Sequence, residues 1–229
     1  MTREIFSEVR GYVLAGGASL RFGSDKALAR IGGQTVLERM CDLVTAVTGS
    51  VTVIAPPERY RFPKMKLLAD RWPGEGPLGG ILTALRATTE DSRGCEWNLI
   101  VSCDMPFLSQ DWLNFVMERA RTAKSRSLAP LGTTDPGEVR TDQAEVVVPK
   151  SEYGLEPLCA CWKTSAAGKL QGRFDEGVRK VTEAMKRLRM EVLDEAHWKR
   201  FDSAGQLFWN MNTQQDYEEA VRAWGRRVS

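Results

Sequence analysis

Residues 12–28, Y-V-L-A-G-G-A-S-L-R-F-G-S-D-K-A-L, hold the densest set of side chains suited to handling an anion. The apolar run Tyr12, Val13, Leu14 ends at Gly16-Gly17, and Gly23 follows in a loop with Ser19, Arg21, Asp25 and Lys26. A strand that stops at paired glycines brings bare backbone N–H groups close to an anion, because no Cβ stands in the way. Arg21 supplies a planar fork and Lys26 a mobile point charge, the two cationic devices used on phosphates. An ordinary basic strand-to-helix turn would explain the glycine pair alone; two cations within ten residues favour a phosphate cradle. The cradle is not a Walker loop, since Gly23 is followed by Ser24-Asp25-Lys26 and the lysine comes too late. Nor is it a dinucleotide fingerprint, because G-x-G-x-x-G is absent here.

The elements that must position this loop alternate along the chain. Thr35 and Glu38 form a capping box ahead of Leu37, Met40, Cys41, Val44 and Val47 at helical spacing. Residues 51–55 read as a second strand closed by Pro56-Pro57, and residues 65–69 as a third ending at Asp70. The prolines and glycines of 70–77 predict a loop, with a helix opening at Gly79-Gly80 and carrying Ile81, Leu82 and Leu85. Residues 97–102 are the most apolar strand and lead into Cys103-Asp104-Met105-Pro106. Ser109 caps a helix with Trp112, Leu113, Val116 and Met117 on one face. Residues 123–142 shift to Ser, Thr, Gly, Pro and charge, and read as a long excursion. Strands return at 145–149 and 156–162, the latter with Cys159 and Cys161 on one face. Residues 175–188 read as a helix burying Val178, Val181, Met185 and Leu188. A last helix is capped by Thr213 and Asp216, with Tyr217, Ala220, Val221 and Trp224 as its stripe. Such alternation predicts one α/β unit over residues 1–229, three-layered and doubly wound around a mostly parallel sheet. Ligands on such sheets sit beyond the carboxyl ends of the strands, where the glycine loop, Asp70 and Asp104 fall.

Composition excludes several classes. A hydrophobic content of 42% and a charged content of 27% suit a folded soluble chain. The net charge of +2 gives no case for nucleic acid or membrane partners. No run approaches the roughly 18 apolar residues of a membrane span, and residues 1–10 lack the apolar core of a signal peptide. The five cysteines contain no C-x-x-C and read as reduced core thiols, which places the protein in the cytoplasm. His197 is the only histidine and reads as structural or surface, so catalysis through a central histidine is not expected.

Residues 14–26 resemble the motif L-A-G-G-x-S-x-R-[MF]-G-x-D-K of the nucleotidyltransferases, and within them the MobA-like molybdenum cofactor guanylyltransferases. Further segments match in order: Gly76-Pro77-Leu78-Gly79-Gly80-Ile81, Ser102-Cys103-Asp104-Met105-Pro106, Glu156-Pro157-Leu158-Cys159-Ala160 and Asn210-Met211-Asn212-Thr213. The resemblance implies a Rossmann-like nucleotide-diphospho-sugar transferase fold. It implies transfer of GMP from MgGTP to molybdopterin with release of pyrophosphate, and transient contacts with molybdoenzymes or other cofactor-biosynthesis proteins. It assigns Leu14, Ala15, Gly16, Gly17, Arg21 and Lys26 to the triphosphate loop, with Lys26 and Arg21 catalytic, and puts Asp70 and Gly79 in the nucleotide pocket. The family's asparagine after the second strand is missing, since that run is Val53-Ile54-Ala55-Pro56-Pro57. Gly17 and Asp25-Lys26 resemble the guanylyl branch; the cytidylyl branch usually shows A-A-G. A CTP-dependent cytidylyltransferase and a non-catalytic nucleotide-binding module are the alternatives.

Nucleotidyl transfer is mostly positioning and charge neutralisation, because an incoming phosphate oxygen must attack a phosphorus already surrounded by negative oxygens. Mg²⁺ relieves that repulsion and prefers hard carboxylate oxygens. Asp104, at the end of the most apolar strand, is the expected metal ligand and catalytic carboxylate; capping the following turn is its alternative. For the second anionic substrate the candidates are Arg179 and Lys180, equally readable as a solvated face. Asn210 and Asn212 either contact that acceptor or tie the last helix to the site.

Overall fold

The computed structural model describes residues 5–16, 25–60, 65–91, 94–126, 144–202 and 204–228. Gly17 and Arg21 lie outside the described residues, as does the 127–142 part of the excursion. The chain opens with β1 (Val9–Leu14), a 3-10 turn at Lys26–Leu28 and a small hairpin of β2 (Arg30–Ile31) and β3 (Gln34–Thr35). Helix α1 (Val36–Thr48) follows, then β4 (Val51–Ile54), β5 (Lys66–Leu68), α2 (Pro77–Glu90), β6 (Trp97–Ser102) and α3 (Gln110–Arg126). The second half runs β7 (Val146–Ser151), β8 (Gly154–Leu155), β9 (Cys159–Lys163), α4 (Ala167–Asp175), α5 (Val181–Ala184), β10 (Met190–Leu193), α6 (Glu195–Trp198) and α7 (Gln214–Val228).

The main sheet has the order β10-β7-β9-β6-β1-β4-β5, with β8 paired to β7. Pairs β1–β4, β1–β6, β4–β5 and β7–β10 are parallel; β9 alone in that order runs against its neighbours. Strand side chains alternate strictly between two cores. Val13, Val53, Val101, Val147, Cys159 and Cys161 pack with α1, α3 and α7. Tyr12, Leu14, Ile54, Ile100, Val146, Val148, Ala160 and Trp162 pack with α2, α4 and α5. Period-two alternation with both faces buried gives three layers, helices over each face of a mostly parallel sheet, as expected.

The capping boxes form as expected. Thr35 Oγ1 accepts from Glu38 N at 3.1 Å and Glu38 Oε2 accepts from Thr35 N at 2.8 Å. At α7, Asp216 N donates to Thr213 Oγ1 at 3.1 Å, and Thr213 N donates to Asp216 Oδ2 at 2.8 Å. Ser109 Oγ accepts from Trp112 N at 3.3 Å at the start of α3. The cysteines are free thiols. Burial pushes those of Cys41, Cys103 and Cys159 up to about 12. Among the described residues no helix is long and apolar enough to cross a membrane.

Five local expectations are corrected. Helix α2 begins at Pro77, not at Gly79-Gly80: Gly76 at φ 78 turns the chain and proline fits the first helical position. Helix α3 continues through Arg126, into the first residues read as excursion. The strand expected from 156 begins at Cys159, because Pro157 has no N–H for a ladder. The helix expected over 175–188 is broken. Helix α4 ends at Asp175, Gly177 adopts φ 88, and Gly177 N and Val178 N close back on Phe174 O and Arg173 O. Local spacing placed Val181, Met185 and Leu188 correctly in the core but missed this glycine stop, and Val178 is only half-buried. In α7 the stripe is turned slightly from the expected one: Ala220 and Ala223 are buried while Val221 is 40% exposed.

Candidate active site

Strands β1 and β6 lie side by side at the centre of the sheet, where the strand order reverses from one direction to the other. In open α/β sheets the crevice beyond such a switch point is where ligands bind. Backbone bonds carry the sheet past both strand ends: Ala15 N donates to Ile54 O at 3.0 Å and Cys103 N to Leu14 O at 3.2 Å. Asp104, one residue further on, therefore stands beside the exit of β1. Lys26 reaches it from the 3-10 turn after the glycine loop, its Nζ donating to Asp104 Oδ2 at 2.8 Å. The side chains are 21% and 13% exposed respectively.

The turn's geometry explains why Lys26 points there. Asp25 is its N-cap, accepting from Ala27 N at 3.1 Å through Oδ1. Its other oxygen is held by Tyr60 Oη at 2.8 Å and Arg59 Nε at 2.7 Å. Asp25 is thus committed to the turn, whereas Asp104 keeps one carboxylate oxygen in reserve. Asp104 Oδ1 is buried and has no hydrogen-bond partner among the described residues. A buried carboxylate oxygen without a donor carries a desolvation penalty that a bound cation would relieve. It does not cap the following turn. No cluster of three or more His, Cys, Asp or Glu side chains fit to hold a metal occurs among the described residues. A hard cation that keeps its waters and shares substrate phosphates needs only one or two protein carboxylates, so Asp104 fits that donor set.

The C-terminal segment closes on the backbone of the same residue. Met211 N donates to the Asp104 carbonyl at 2.9 Å, between Asn210 and Asn212. Asn210 Nδ2 donates to Phe208 O at 3.2 Å, and Asn212 N to Asp216 Oδ2 at 2.8 Å. The tie between the last helix and the site is therefore made by the Met211 backbone. Both asparagines line a cleft of about 620 Å³ with Ser151, Trp198, Phe208 and Trp209. Glu156, buried at the entry to β9, accepts from Ser151 Oγ at 2.6 Å. Burial pushes its carboxyl up, the Ser151 hydroxyl opposes that, and the Asp104 charge adds to it.

The other predicted residues are placed differently. Asp70 lies two residues beyond β5, and its Oδ1 accepts from Trp72 N at 3.1 Å and Thr83 Oγ1 at 2.8 Å, pinning the 70–76 loop to α2. Gly79 lies under that loop: an added Cβ would come within 3.1 Å of Trp72 Cβ and O. The next glycine serves β1, since a Cβ on Gly80 would sit 3.3 Å from both Leu14 methyls. Arg179 pairs with Glu75, stacks 3.9 Å over Phe174 and donates to Phe174 O at 2.7 Å, bridging α4 to the 70–76 loop. Lys180 is exposed at the start of α5. These two belong to the α2/α4/α5 layer and the asparagines to the α3/α7 side, so the four acceptor candidates do not form one cluster. His197 pairs with Asp194 at 2.7 Å on α6 and contributes to neither strand end. Sequence reasoning gave no role to Tyr60, Arg59 or Glu156. Glu156 stood inside a matched segment; a tyrosine six residues after a strand carries no local signal.

Known proteins bear on this arrangement. A molybdenum cofactor guanylyltransferase of Desulfosudis oleivorans is 29% identical over 217 residues, covering 94% of this chain and 95% of that protein. A probable molybdenum cofactor guanylyltransferase of Clostridium perfringens is 26% identical, covering 92% and 94%. The crystal structure of molybdopterin-guanine dinucleotide biosynthesis protein A from Archaeoglobus fulgidus superposes with a TM-score of 0.70 at 22% identity, covering 95% of this chain and 99% of that one, a likeness of fold. The family model of the MobA-like NTP transferase domain matches residues 11–190, from the start of the glycine-loop strand through the second half of the sheet, and the chain belongs to that family.

Proposed function

We propose that this nucleotidyltransferase moves GMP from MgGTP to the molybdopterin form of the molybdenum cofactor, with release of pyrophosphate. The observation that carries the reading is the Lys26–Asp104 pair at the switch point, with Asp104 Oδ1 buried and without a donor among the described residues. Family membership and the names of full-length relatives support the guanylyl assignment.

The residues divide the work by charge. Asp104 would hold Mg²⁺, which when bound neutralises phosphate oxygens and lowers the repulsion between the two anionic substrates. Lys26 would supply a point charge to the triphosphate, and Arg21 is assigned the same task from the glycine loop. Leu14, Ala15, Gly16 and Gly17 bring backbone close to the phosphates. Asp70 and Gly79 shape the nucleoside side through the 70–76 loop they fix. The cleft lined by Asn210 and Asn212, tied to Asp104 through the Met211 backbone, takes the acceptor, whose phosphate oxygen attacks the α-phosphorus in line. Arg179 and Lys180 belong to the α2/α4/α5 layer and would serve a substrate only if the Arg179–Glu75 pair opens.

The stretch after β4 does not separate the guanylyl reading from a cytidylyl one: Ala55 N donates to Leu68 O at 3.1 Å and Pro56 and Pro57 carry no N–H, so residues 55–57 offer no free backbone donor to the acceptor atoms of either base. Calorimetric titration with GTP, CTP, ATP and UTP in the presence of Mg²⁺ tests both. We expect GTP to bind at least about tenfold tighter than CTP, the ratio that ~1.4 kcal/mol supplies. Tighter CTP binding moves the protein to the cytidylyl branch, and binding without turnover of any nucleotide supports a regulatory module.

A further inference from the structure

Tyr60 has no part in the chemistry above, yet its hydroxyl occupies a singular place. The ring is 2% exposed, in the core beneath the end of β4. Its Oη lies 3.2 Å from the Ala15 carbonyl and 2.8 Å from Asp25 Oδ2. Ala15 directly follows β1, and Asp25 directly precedes the turn that carries Lys26. One phenol thus sits between the backbone that follows β1 and the carboxylate that precedes the Lys26 turn. Burial first, and then the Asp25 bond, raise the phenol's pKa, so it is a neutral donor at any working pH. Its single proton goes mainly to the nearer, charged acceptor.

The hydroxyl is not required to fill the core, since phenylalanine buries the same ring. What it adds is polar connection: Tyr60 and Arg59 saturate Asp25 Oδ2, leaving Asp25 Oδ1 to cap the turn at Ala27 N. The direction of Lys26 toward Asp104 depends on that turn. We propose that Tyr60 is a positioning residue, a clamp that anchors Asp25 beside Ala15 through its bond to Asp25 Oδ2 and so holds the Lys26 turn in place at the site. The inference rests on the nucleotidyl-transfer reading and gives a residue far from the glycine motif a role in the same site. Preorganising a phosphate-binding cation lowers the ordering cost of binding. Losing the clamp should therefore appear in triphosphate affinity and not in nucleoside affinity.

The test is a double-mutant cycle between Tyr60→Phe and Lys26→Ala, read by titration of the full chain with MgGTP and with guanosine. Tyr60→Phe should weaken MgGTP about tenfold while guanosine binding changes less than about twofold, the size expected when one charge-assisted contact is misplaced. In the Lys26→Ala background the same change should add less than about twofold. An unimpaired Tyr60→Phe, an equal loss in both backgrounds, or an equal loss for guanosine would each overturn the clamp. Should Tyr60→Phe fail to fold, Asp25→Asn keeps an oxygen for Ala27 N, removes the charge that Tyr60 and Arg59 hold, and enters the same cycle with the same expected pattern. Wild-type protein that binds no nucleoside triphosphate would overturn the proposed function as well; wild-type protein that binds while Tyr60→Phe matches it overturns the clamp alone.

Discussion

Replacing Lys26 with alanine separates its two jobs. In the nucleotide-free protein the ammonium is the donor to Asp104 Oδ2 at 2.8 Å, and Asp104 Oδ1 has no partner among the described residues. Removing Lys26 leaves a largely buried carboxylate with neither oxygen paired to that cation. Stranding one member of a charged hydrogen-bonded pair costs about 1–3 kcal/mol. The upper range for fully buried pairs does not apply, because the side chains remain 21% and 13% exposed and water can reach part of the site. For a chain of this length that loss corresponds to a Tm lower by roughly 2–12 °C. With nucleotide present the missing contact is the one to phosphate. A charge-assisted hydrogen bond of about 1.5–3 kcal/mol makes MgGTP bind roughly ten- to a hundred-fold more weakly. Guanosine, which carries no phosphate, should bind as it does to wild type. Scanning calorimetry gives the first number and isothermal titration the second. Equal losses for guanosine and GTP, or an unchanged Tm, would show that Lys26 does not act through charge at Asp104 and the phosphates.

The remaining predictions concern the two carboxylates. Asp104→Asn should cut turnover by orders of magnitude with the fold intact, because the residue stands beyond a strand end; near-normal steady-state rates would remove it from the mechanism. Glu156 holds its proton more tightly folded than unfolded, so in the window above the ordinary carboxylate range the native state binds more protons. Stability from this group is therefore present at low pH and declines as pH rises through its raised folded value. Glu156→Gln removes that slope, and the variant's Tm should gain on wild type between acid and neutral pH; a constant difference across the range would sink the assignment.

Much of the scaffold was written locally. The Thr35–Glu38 and Thr213–Asp216 caps need only residues three apart, and both form. Alternation along residues 97–102 and 159–163 sorts side chains between two cores because successive residues of a strand face opposite ways. The glycine loop and the apolar strand before Asp104 predict a phosphate site from residue types and order alone. Where one residue's backbone decided the outcome, local reading failed: Gly177 stopped a helix whose apolar spacing ran on to Leu188.

What tertiary structure decided is which polar groups meet. Asp25, Asp70 and Asp104 look alike in sequence, each near a strand end or loop. Folding commits Asp25 to Ala27 N, Arg59 and Tyr60, and Asp70 Oδ1 to Trp72 N and Thr83, while Asp104 keeps an oxygen open. The pairing of Lys26 with Asp104 spans 78 residues and that of Tyr60 with Ala15 spans 45. No periodicity encodes such contacts, because they depend on strand order and on the parallel register of β1 with β4 and β6. Residue type sets what a side chain is able to do; the sheet sets which partner is within hydrogen-bonding distance.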